Sequence, residues 1–202
     1  QFVLRIAGLS NNAAIIRSKD KDGYELIGDP TEGALLVLAK KGGFDPSSEE
    51  KKKVDDLPFD SNLKLRASLI HKTKDEHMLL VSGAPEELLK RSLKYRCNGM
   101  ELELSKEDKE RIQQCITDWS DEALRVIGLA YKTTKDTEIN PNEIEELMFA
   151  GLAGMADPPR PEAKEAVEKC KQAGIRVIMV TGDHVNTAVA IANQVGILDG
   201  NT

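Results

Sequence analysis

Two stretches of sequence decide the fold prediction, GLAGMADPPRPEAKEA (151–166) and IRVIMVTGDHVNTAVAIANQVGI (175–197). The first contains a short apolar strand that ends near Asp157 and is followed by a helix. The second contains another apolar strand, which runs into Thr181-Gly182-Asp183 at the start of a further helix. Alternating strands and helices are typical of a parallel sheet, and ligands bind such sheets at the carboxyl ends of the strands.

The composition is that of a soluble globular protein and does not favour a nucleic-acid partner. Of the 202 residues, 40% are hydrophobic and 31% are charged, and the net charge is −6, with no basic stripe. No apolar run approaches the roughly 20 residues that span a bilayer, so we expect no direct membrane insertion of this chain. The three cysteines and three histidines share no ligand spacing, which predicts free thiols and no metal site.

The first half of the chain reads as strands with intervening helices. Residues 1–18 have a helical pattern, and YELIG (24–28) predicts a short strand. In GDPTEGALLVLAKKGG (28–43), Asp29 fits a helix N-cap, Pro30 the first helical position and Gly42 the end of the helix.

An antiparallel sheet is predicted in the middle of the chain. Residues 57–72 read as one extended segment with alternating apolar and polar side chains, and 77–83 as its partner strand. The remaining predicted elements are a helix over 84–95, a tight turn at Asn98-Gly99, a helix over 105–124 and a strand over 125–132.

Near residue 150 the pattern changes to strand–helix–strand–helix, which predicts a domain boundary there. A helix from Pro161 ends at Gly174, and residues 175–180 read as a buried parallel strand. Because the chain begins at Gln1 without a Met and stops just after a helix, we expect an excised piece of a longer protein.

Several residues have both a structural and a functional interpretation. Glu32 is either part of a helix cap or a carboxylate for a ligand, and Phe59 is either a core residue or a platform on which a base stacks. Gly83-Ala84 is either an ordinary turn or a close approach to a ligand. Three further sites also have two interpretations, namely Lys64, Arg125 and Thr181-Gly182-Asp183. Each is either a ligand contact or an ordinary surface residue or turn.

Taken in order, five strings make the chain resemble the cytoplasmic region of P-type cation-transporting ATPases, especially the calcium-pump-like branch of bacteria. They are GDPTEGALLVLAKKGGF, PFDSNLK, VSGAPEELLKR, DEALRVIGLAYK and the whole of residues 151–197, GLAGMADPPRPEAKEAVEKCKQAGIRVIMVTGDHVNTAVAIANQVGI. The resemblance covers nearly the whole chain.

The resemblance implies an α+β nucleotide-binding domain over 1–149, an antiparallel sheet flanked by helices, and part of an α/β haloacid-dehalogenase-like parallel-sheet phosphorylation domain over 150–202. It implies an ATP site lined by Glu32, Phe59, Lys64, Ser82, Gly83, Ala84 and Arg125. It implies a hinge at Asp157, Pro158, Pro159 and Arg160, and a phosphate-facing loop at Thr181, Gly182 and Asp183.

Three departures from the family pattern stand out. The family usually has Lys where this chain has Ser82, so Ser82→Lys is expected to tighten ATP binding, and the basic residue common before the position of Lys64 is Leu63 here. The phosphorylated Asp of a DKTGT string and the magnesium-binding GDGxND string are both absent from the sequence.

The resemblance therefore implies that ATP binds here with Mg²⁺, whose ligands lie mostly outside these residues, and that the partners are ATP, ADP and the rest of a pump. It implies the cytoplasmic part of an integral membrane protein, in a bacterial plasma membrane. The resemblance suggests calcium as the transported ion, with sodium, potassium, magnesium and protons as alternatives. Two alternatives stay open, a non-enzymatic nucleotide-binding module and a haloacid-dehalogenase-type phosphatase with a cap domain. The phosphatase would need a nucleophilic Asp in a DxD pattern after a strand, and none follows a predicted strand.

Overall fold

The computed structural model describes residues 2–18, 23–49, 52–122, 124–157, 159–182 and 185–198. The helices formed by these residues are α1 (Phe2–Leu9), α2 (Pro30–Lys41), α3 (Pro85–Lys90), α4 (Lys106–Asp121), α5 (Pro161–Gln172) and α6 (Val185–Gln194). The strands are β1 (Ala14–Arg17), β2 (Tyr24–Ile27), β3 (Lys53–Asp60), β4 (Leu65–Thr73), β5 (Glu76–Gly83), β6 (Ser92–Cys97), β7 (Met100–Glu103), β8 (Arg125–Thr134) and β9 (Leu147–Met155).

Seven strands form one mixed sheet in the order β3-β4-β5-β8-β9-β6-β7. The first four strands in this order pair antiparallel, as do β6 and β7, whereas β6 runs parallel to β9. A second, two-stranded antiparallel sheet is formed by β1 and β2. These sheets and their helices confirm the fold class expected for the first part of the chain.

The chain divides into two compact units, one of Gln1–Glu110 with Ile127–Ala153 and one of Arg111–Val126 with Gly154–Thr202. Strand β9 continues through residue 150 as far as Met155. The domain boundary at about residue 150 stays a prediction.

The core of the first unit lies around β4 and β5. Residues 65–70 of β4 and 77–83 of β5 are all buried, although the alternating pattern of β4 predicts a strand buried on one face only. Helices α1 and α3 both contact β5, and α1 also packs on α2. Because both faces of β4 are covered, Arg66 and Ser68 are buried along with their apolar neighbours.

Helix α2 begins as its sequence predicts. The Asp29 carboxylate accepts hydrogen bonds from the backbone N–H groups of Thr31 (2.8 Å) and Glu32 (3.2 Å), Pro30 occupies the first turn, and Gly42 follows the last residue. These contacts satisfy backbone donors that have no partner inside the helix. The cap therefore fixes where Glu32 lies relative to the start of α2.

Three boundaries in the first unit differ from the sequence prediction. The helical pattern over 1–18 is wrong beyond Leu9, because Ala14–Arg17 pairs with Tyr24–Ile27 as a hairpin. The segment 57–72 is not continuous, because a turn at residues 61–64 separates β3 from β4.

The predicted helix over 84–95 ends at Lys90, and Ser92–Cys97 forms β6 instead. The predicted turn at Asn98-Gly99 joins β6 to β7, with φ values of 49° and 84°. The backbone of residues 92–97 forms strand hydrogen bonds with β7 and β9. If the helix continued through these residues, their backbone groups would be used within the helix and could not pair with either strand.

In the second unit, α5 and α6 form where helices are predicted, and Gly174 has a φ of 70° just after α5. The predicted buried parallel strand over 175–180 is wrong. These residues belong to no strand, and Val180 is 93% exposed. A strand needs a neighbour for its backbone hydrogen bonds, and no described strand pairs with this segment. None of the helices among the described residues is long and apolar enough to cross a membrane.

Candidate nucleotide site

A row of paired residues crosses the first unit at one end of its strands. Asp60 pairs with Leu65, Leu65 with Gly83, and Gly83 with Gly128. We call these four residues the end row. Phe59, Lys64, Ser82 and Ala84 are each the chain neighbour of an end-row residue, so the register brings four separately predicted positions to one edge of the sheet.

The turn before β4 is held by local hydrogen bonds. The Asp60 carboxylate accepts from the backbone N–H groups of Asn62 (2.7 Å) and Leu63 (3.0 Å). The Lys64 N–H donates to the Asp60 carbonyl at 2.7 Å, and Lys64 has a φ of 54°. Short side-chain bonds of this kind stabilise tight turns, and here the turn leaves the Lys64 side chain exposed at the edge of the sheet.

Gly83 is required by the backbone of this chain. Its Cβ, if present, would collide with the Lys64 carbonyl oxygen and with Leu65. The same carbonyl accepts a 2.8 Å hydrogen bond from the Ala84 N–H. The backbone that lies close to Gly83 is that of Lys64 and Leu65, and the approach of a ligand to Gly83-Ala84 stays a prediction.

Phe59 lies near the end of β3 and is 59% exposed. Burying a Phe side chain contributes roughly 1.5–3 kcal/mol, so an exposed ring beside the end row forgoes that stabilisation. The interpretation of Phe59 as a core residue is not supported, and the ring is free to stack on a planar ligand.

The Glu32 carboxylate is directed toward β4. Its Oε1 atom forms an ion pair with Nη1 of Arg66, and its Oε2 atom accepts a 2.7 Å hydrogen bond from the Asn12 N–H. The Asn11 side chain donates to the Glu32 carbonyl at 2.5 Å. The carboxylate is thus fixed by contacts to β4 and to the segment after α1, and each oxygen keeps a lone pair for a further donor.

Arg66 is the residue of this site that sequence reasoning missed. Its side chain is only 3% exposed. Nη2 donates to both carboxylate oxygens of Asp56 at 3.1 Å, while Nη1 faces Glu32. Within the described residues, Nε and Nη1 are buried without a hydrogen bond of good geometry. Arg66 occupies a polar position of an alternating strand, and that pattern predicts an exposed side chain rather than a buried one.

Asp56 holds the other side of this cluster. It accepts hydrogen bonds from Ser68 Oγ and Asn12 Nδ2, each at 2.5 Å, and from Lys53 Nζ at 3.2 Å. Burial acts to raise the pKa of the Asp56 carboxyl, but the hydrogen bonds and the nearby charges of Arg66 and Lys53 outweigh it and hold that pKa below its usual value. We call Glu32, Asp56, Arg66 and Lys53 the Arg66 cluster, in which two cations face two carboxylates.

Ser82 lies directly opposite Arg66 in the pairing of β4 with β5. It is 3% exposed, and its hydroxyl lies 3.4 Å from the hydroxyl of Ser10. A lysine placed here would meet Arg66 across the strand pair, since opposite residues have Cβ atoms about 4.5–5.5 Å apart. The structure therefore does not support a simple gain from adding a cation at Ser82.

The other predicted site residues belong to the second unit. Arg125 is the exposed first residue of β8. Asp157 and Arg160 both precede α5 and are exposed, and Pro159 between them is half-buried, while Pro158 lies outside the described residues. Thr181 and Gly182 are exposed before α6, and Asp183 lies outside the described residues.

The described residues contain no group of three or more His, Cys, Asp or Glu side chains that could hold a metal ion. Cys97, Cys115 and Cys170 are all free thiols, as predicted.

Comparison with known proteins gives a consistent result. The sequence model of a family described as P-type ATPase, cytoplasmic domain N, matches residues 1–162. The chain is 38% identical over 203 residues to a calcium-transporting ATPase of Bacillus subtilis (strain 168), a match that covers 98% of this chain and 22% of that protein.

Two further relatives have different printed names. Cation-transporting ATPase pma1 of Synechocystis sp. is 41% identical over 184 residues, covering 87% of this chain and 20% of that protein. The sodium/potassium-transporting ATPase subunit alpha-4 of Rattus norvegicus is 36% identical over 214 residues, covering 98% and 21%. The chain spans about a fifth of the length of these curated relatives. Because the family match covers most of its length, this chain belongs to the P-type ATPases, with residues 1–162 matching their cytoplasmic domain N.

Proposed function

We propose that the edge of the seven-stranded sheet next to the end row binds ATP and ADP. The observation that carries the proposal is the convergence of an exposed aromatic ring, an exposed cation and a fixed carboxylate, from Phe59, Lys64 and Glu32. The base stacks on Phe59, its amino group donates to Glu32, and the Lys64 ammonium attracts the phosphates.

We further propose that the chain is the nucleotide-binding part of a cation pump that hydrolyses ATP through an aspartyl phosphate. The names of its relatives support cation transport as the activity and leave calcium, sodium and potassium as candidate ions. The sequence holds no DKTGT string, so we expect this chain by itself to bind nucleotide without turnover.

The second unit supports a role in contacting the rest of such a pump. The apolar segment 175–180 exposes Ile178 and Val180, which is the pattern of a strand whose neighbours come from elsewhere. We propose that this segment pairs with further strands of a phosphorylation domain on the cytoplasmic side of a membrane. Arg125 is proposed to contact ATP, Asp157 to Arg160 to form the hinge, and Thr181 to Asp183 to face the transferred phosphate.

The nucleotide site is tested by replacing the exposed ring. We expect the wild-type chain to bind ATP with a dissociation constant between high micromolar and millimolar, about −4 to −6 kcal/mol. Phe59→Ala should weaken ATP and ADP equally, by roughly 1–3 kcal/mol, because the base is common to both. Isothermal titration calorimetry measures the affinities.

Tyr24→Ala is the matched control, since Tyr24 is a 78% exposed aromatic residue of the small sheet. It should leave both affinities unchanged. If Phe59→Ala folds like the wild type and binds ATP equally well, stacking on Phe59 is ruled out. Steady ATP hydrolysis by the purified chain would contradict binding without turnover.

A further inference from the structure

The position of Arg66 relative to Glu32 suggests a role beyond stability. The two residues belong to different elements, β4 and α2, and meet through one ion pair. Asp56 grips the Nη2 edge of the guanidinium with both carboxylate oxygens, which directs the Nη1 edge at Glu32. Arg66 is also one residue from Leu65 of the end row, so this contact lies beside the proposed nucleotide site.

The charges of the Arg66 cluster are balanced, and the balance depends on Arg66. Removing Arg66 would leave Glu32 and Asp56 with Lys53 as the one remaining cation of the cluster, and Lys53 bonds Asp56 rather than Glu32. Glu32 would then keep the Asn12 N–H but lose the contact that fixes Oε1. A carboxylate held at one oxygen rotates more freely and selects less sharply among ligand donors.

We propose that Arg66 is a positioning residue that orients the Glu32 carboxylate for a purine that carries an amino group, and so selects adenine over hypoxanthine. This inference rests on the proposed nucleotide site. Adenine offers an N–H donor to the remaining lone pairs of Glu32, whereas hypoxanthine offers a carbonyl acceptor that the carboxylate repels. Arg66 acts through Glu32 and need not touch the ligand.

The pairing of β4 with β5 also predicts that a cation at position 82 can replace Arg66 as the partner of Glu32. Because Ser82 lies opposite Arg66, an ammonium carried by β5 can reach the space that the guanidinium occupies. Ser82→Lys alone adds a third cation to the two carboxylates and two cations of the Arg66 cluster, so it should lower the melting temperature without tightening ATP binding. The double variant Arg66→Met with Ser82→Lys restores the charge balance from the facing strand.

The experiment compares ATP with inosine triphosphate by calorimetry in the wild type, both single variants and the double variant. We expect the wild type to prefer ATP roughly fivefold, which corresponds to one net hydrogen bond. Arg66→Met should weaken ATP about fivefold and the inosine nucleotide less than twofold, so the preference collapses. The double variant should recover the preference and the melting temperature relative to Arg66→Met.

Arg91→Met is the matched control, because Arg91 also joins a carboxylate, Glu145, and the Ile144 carbonyl. It should keep the wild-type preference. If Arg66→Met does not fold, Arg66→Lys serves instead, since it keeps the charge but cannot grip Asp56 with two donors while facing Glu32. The ratio of ATP affinity to inosine triphosphate affinity in Arg66→Lys should lie below the wild-type ratio but above one.

Two results overturn the inference while leaving the proposed site intact. One is a folded Arg66 variant that binds ATP and keeps the full preference. The other is a double variant no better than Arg66→Met. If the wild type binds neither nucleotide at millimolar concentration, the proposed function fails and the inference fails with it.

Discussion

At the scale of single residues, burial decides which charges matter. In most ion pairs among the described residues at least one of the two side chains is exposed, and such pairs contribute little to stability. Arg66 differs because its side chain is 3% exposed between Glu32 and Asp56. A buried pair is costly to form, and it is costlier to break from one side, since the remaining charge loses its partner without regaining water. Replacing either Arg66 or Asp56 is therefore expected to destabilise the fold.

Asp56→Asn should lower the free energy of unfolding at pH 7 by about 2–4 kcal/mol, because it leaves Arg66 with Glu32 alone. It should also flatten the dependence of stability on pH. The folded-state pKa of Asp56 is below its ordinary value of 3.8, so the stability it contributes is present above that value and is lost as the pH falls through the folded pKa. Urea denaturation from pH 7 down to below pH 4 measures both effects.

Asp75→Asn, in the exposed turn between β4 and β5, is the control and should keep the wild-type slope below pH 5. If Asp56→Asn shows the same acid-induced loss of stability as the wild type, the source of that loss lies in another group. Glu49 is the first candidate, since burial raises its pKa but hydrogen bonds from Arg5 and Lys52 bring it below the usual value.

At the scale of elements, helix α2 shows how a cap positions a functional residue. Asp29 bonds the backbone of Thr31 and of Glu32 itself, so the start of the helix and the place of the site carboxylate are fixed together. The turn at residues 61–64 works in the same way through Asp60, which places Lys64 at the edge of the sheet. In both cases a short polar side chain satisfies backbone donors that would otherwise lack partners.

Asp29→Ala should destabilise the chain by about 1 kcal/mol, the usual cost of losing an N-cap. It should also weaken ATP binding, because Glu32 lies in the first turn that the cap holds. Asp29→Asn keeps the capping oxygen and should stay close to the wild type in both respects. Thermal denaturation and calorimetry test this, and equal behaviour of the Ala and Asn variants would show that the cap is dispensable.

At the scale of the whole molecule, the two compact units differ in how they are built. The first unit has a sheet in which residues 65–70 of β4 and 77–83 of β5 are buried on both faces. In the second unit, apolar residues such as Ile178 and Val180 are exposed in a segment outside every strand. The free energy of local unfolding differs between parts of one chain, and it is highest for buried, hydrogen-bonded strands.

Amide hydrogen exchange should reflect this difference. The amides of β4 and β5 should be the slowest to exchange, and those of residues 176–180 should exchange rapidly at neutral pH. Mass spectrometry of peptic peptides measures both in one experiment. Protection of 176–180 equal to that of β5 in the chain by itself would show that this segment forms a paired strand after all.

Much of the local structure follows from the sequence, because its causes are local. The cap of α2, the turn at Asn98-Gly99, the pairing of β4 with β5 and the end of α5 at Gly174 all depend on residues close together in the chain. The strings that carry the family resemblance are also local in the sequence. The family match over residues 1–162 confirms that resemblance.

Only the tertiary structure decided the rest, because it depends on what covers each strand. Residues 92–97 became a strand through pairing with β7 and β9, and 175–180 formed none because no described strand lies beside it. Arg66 and Ser82 have the sequence positions of solvent-facing or ligand-facing polar residues, yet α1 and α2 bury them. The free energy of a polar side chain is set by its surroundings, and for Arg66 these are carboxylates from α2 and β3 that lie 34 and 10 residues away along the chain.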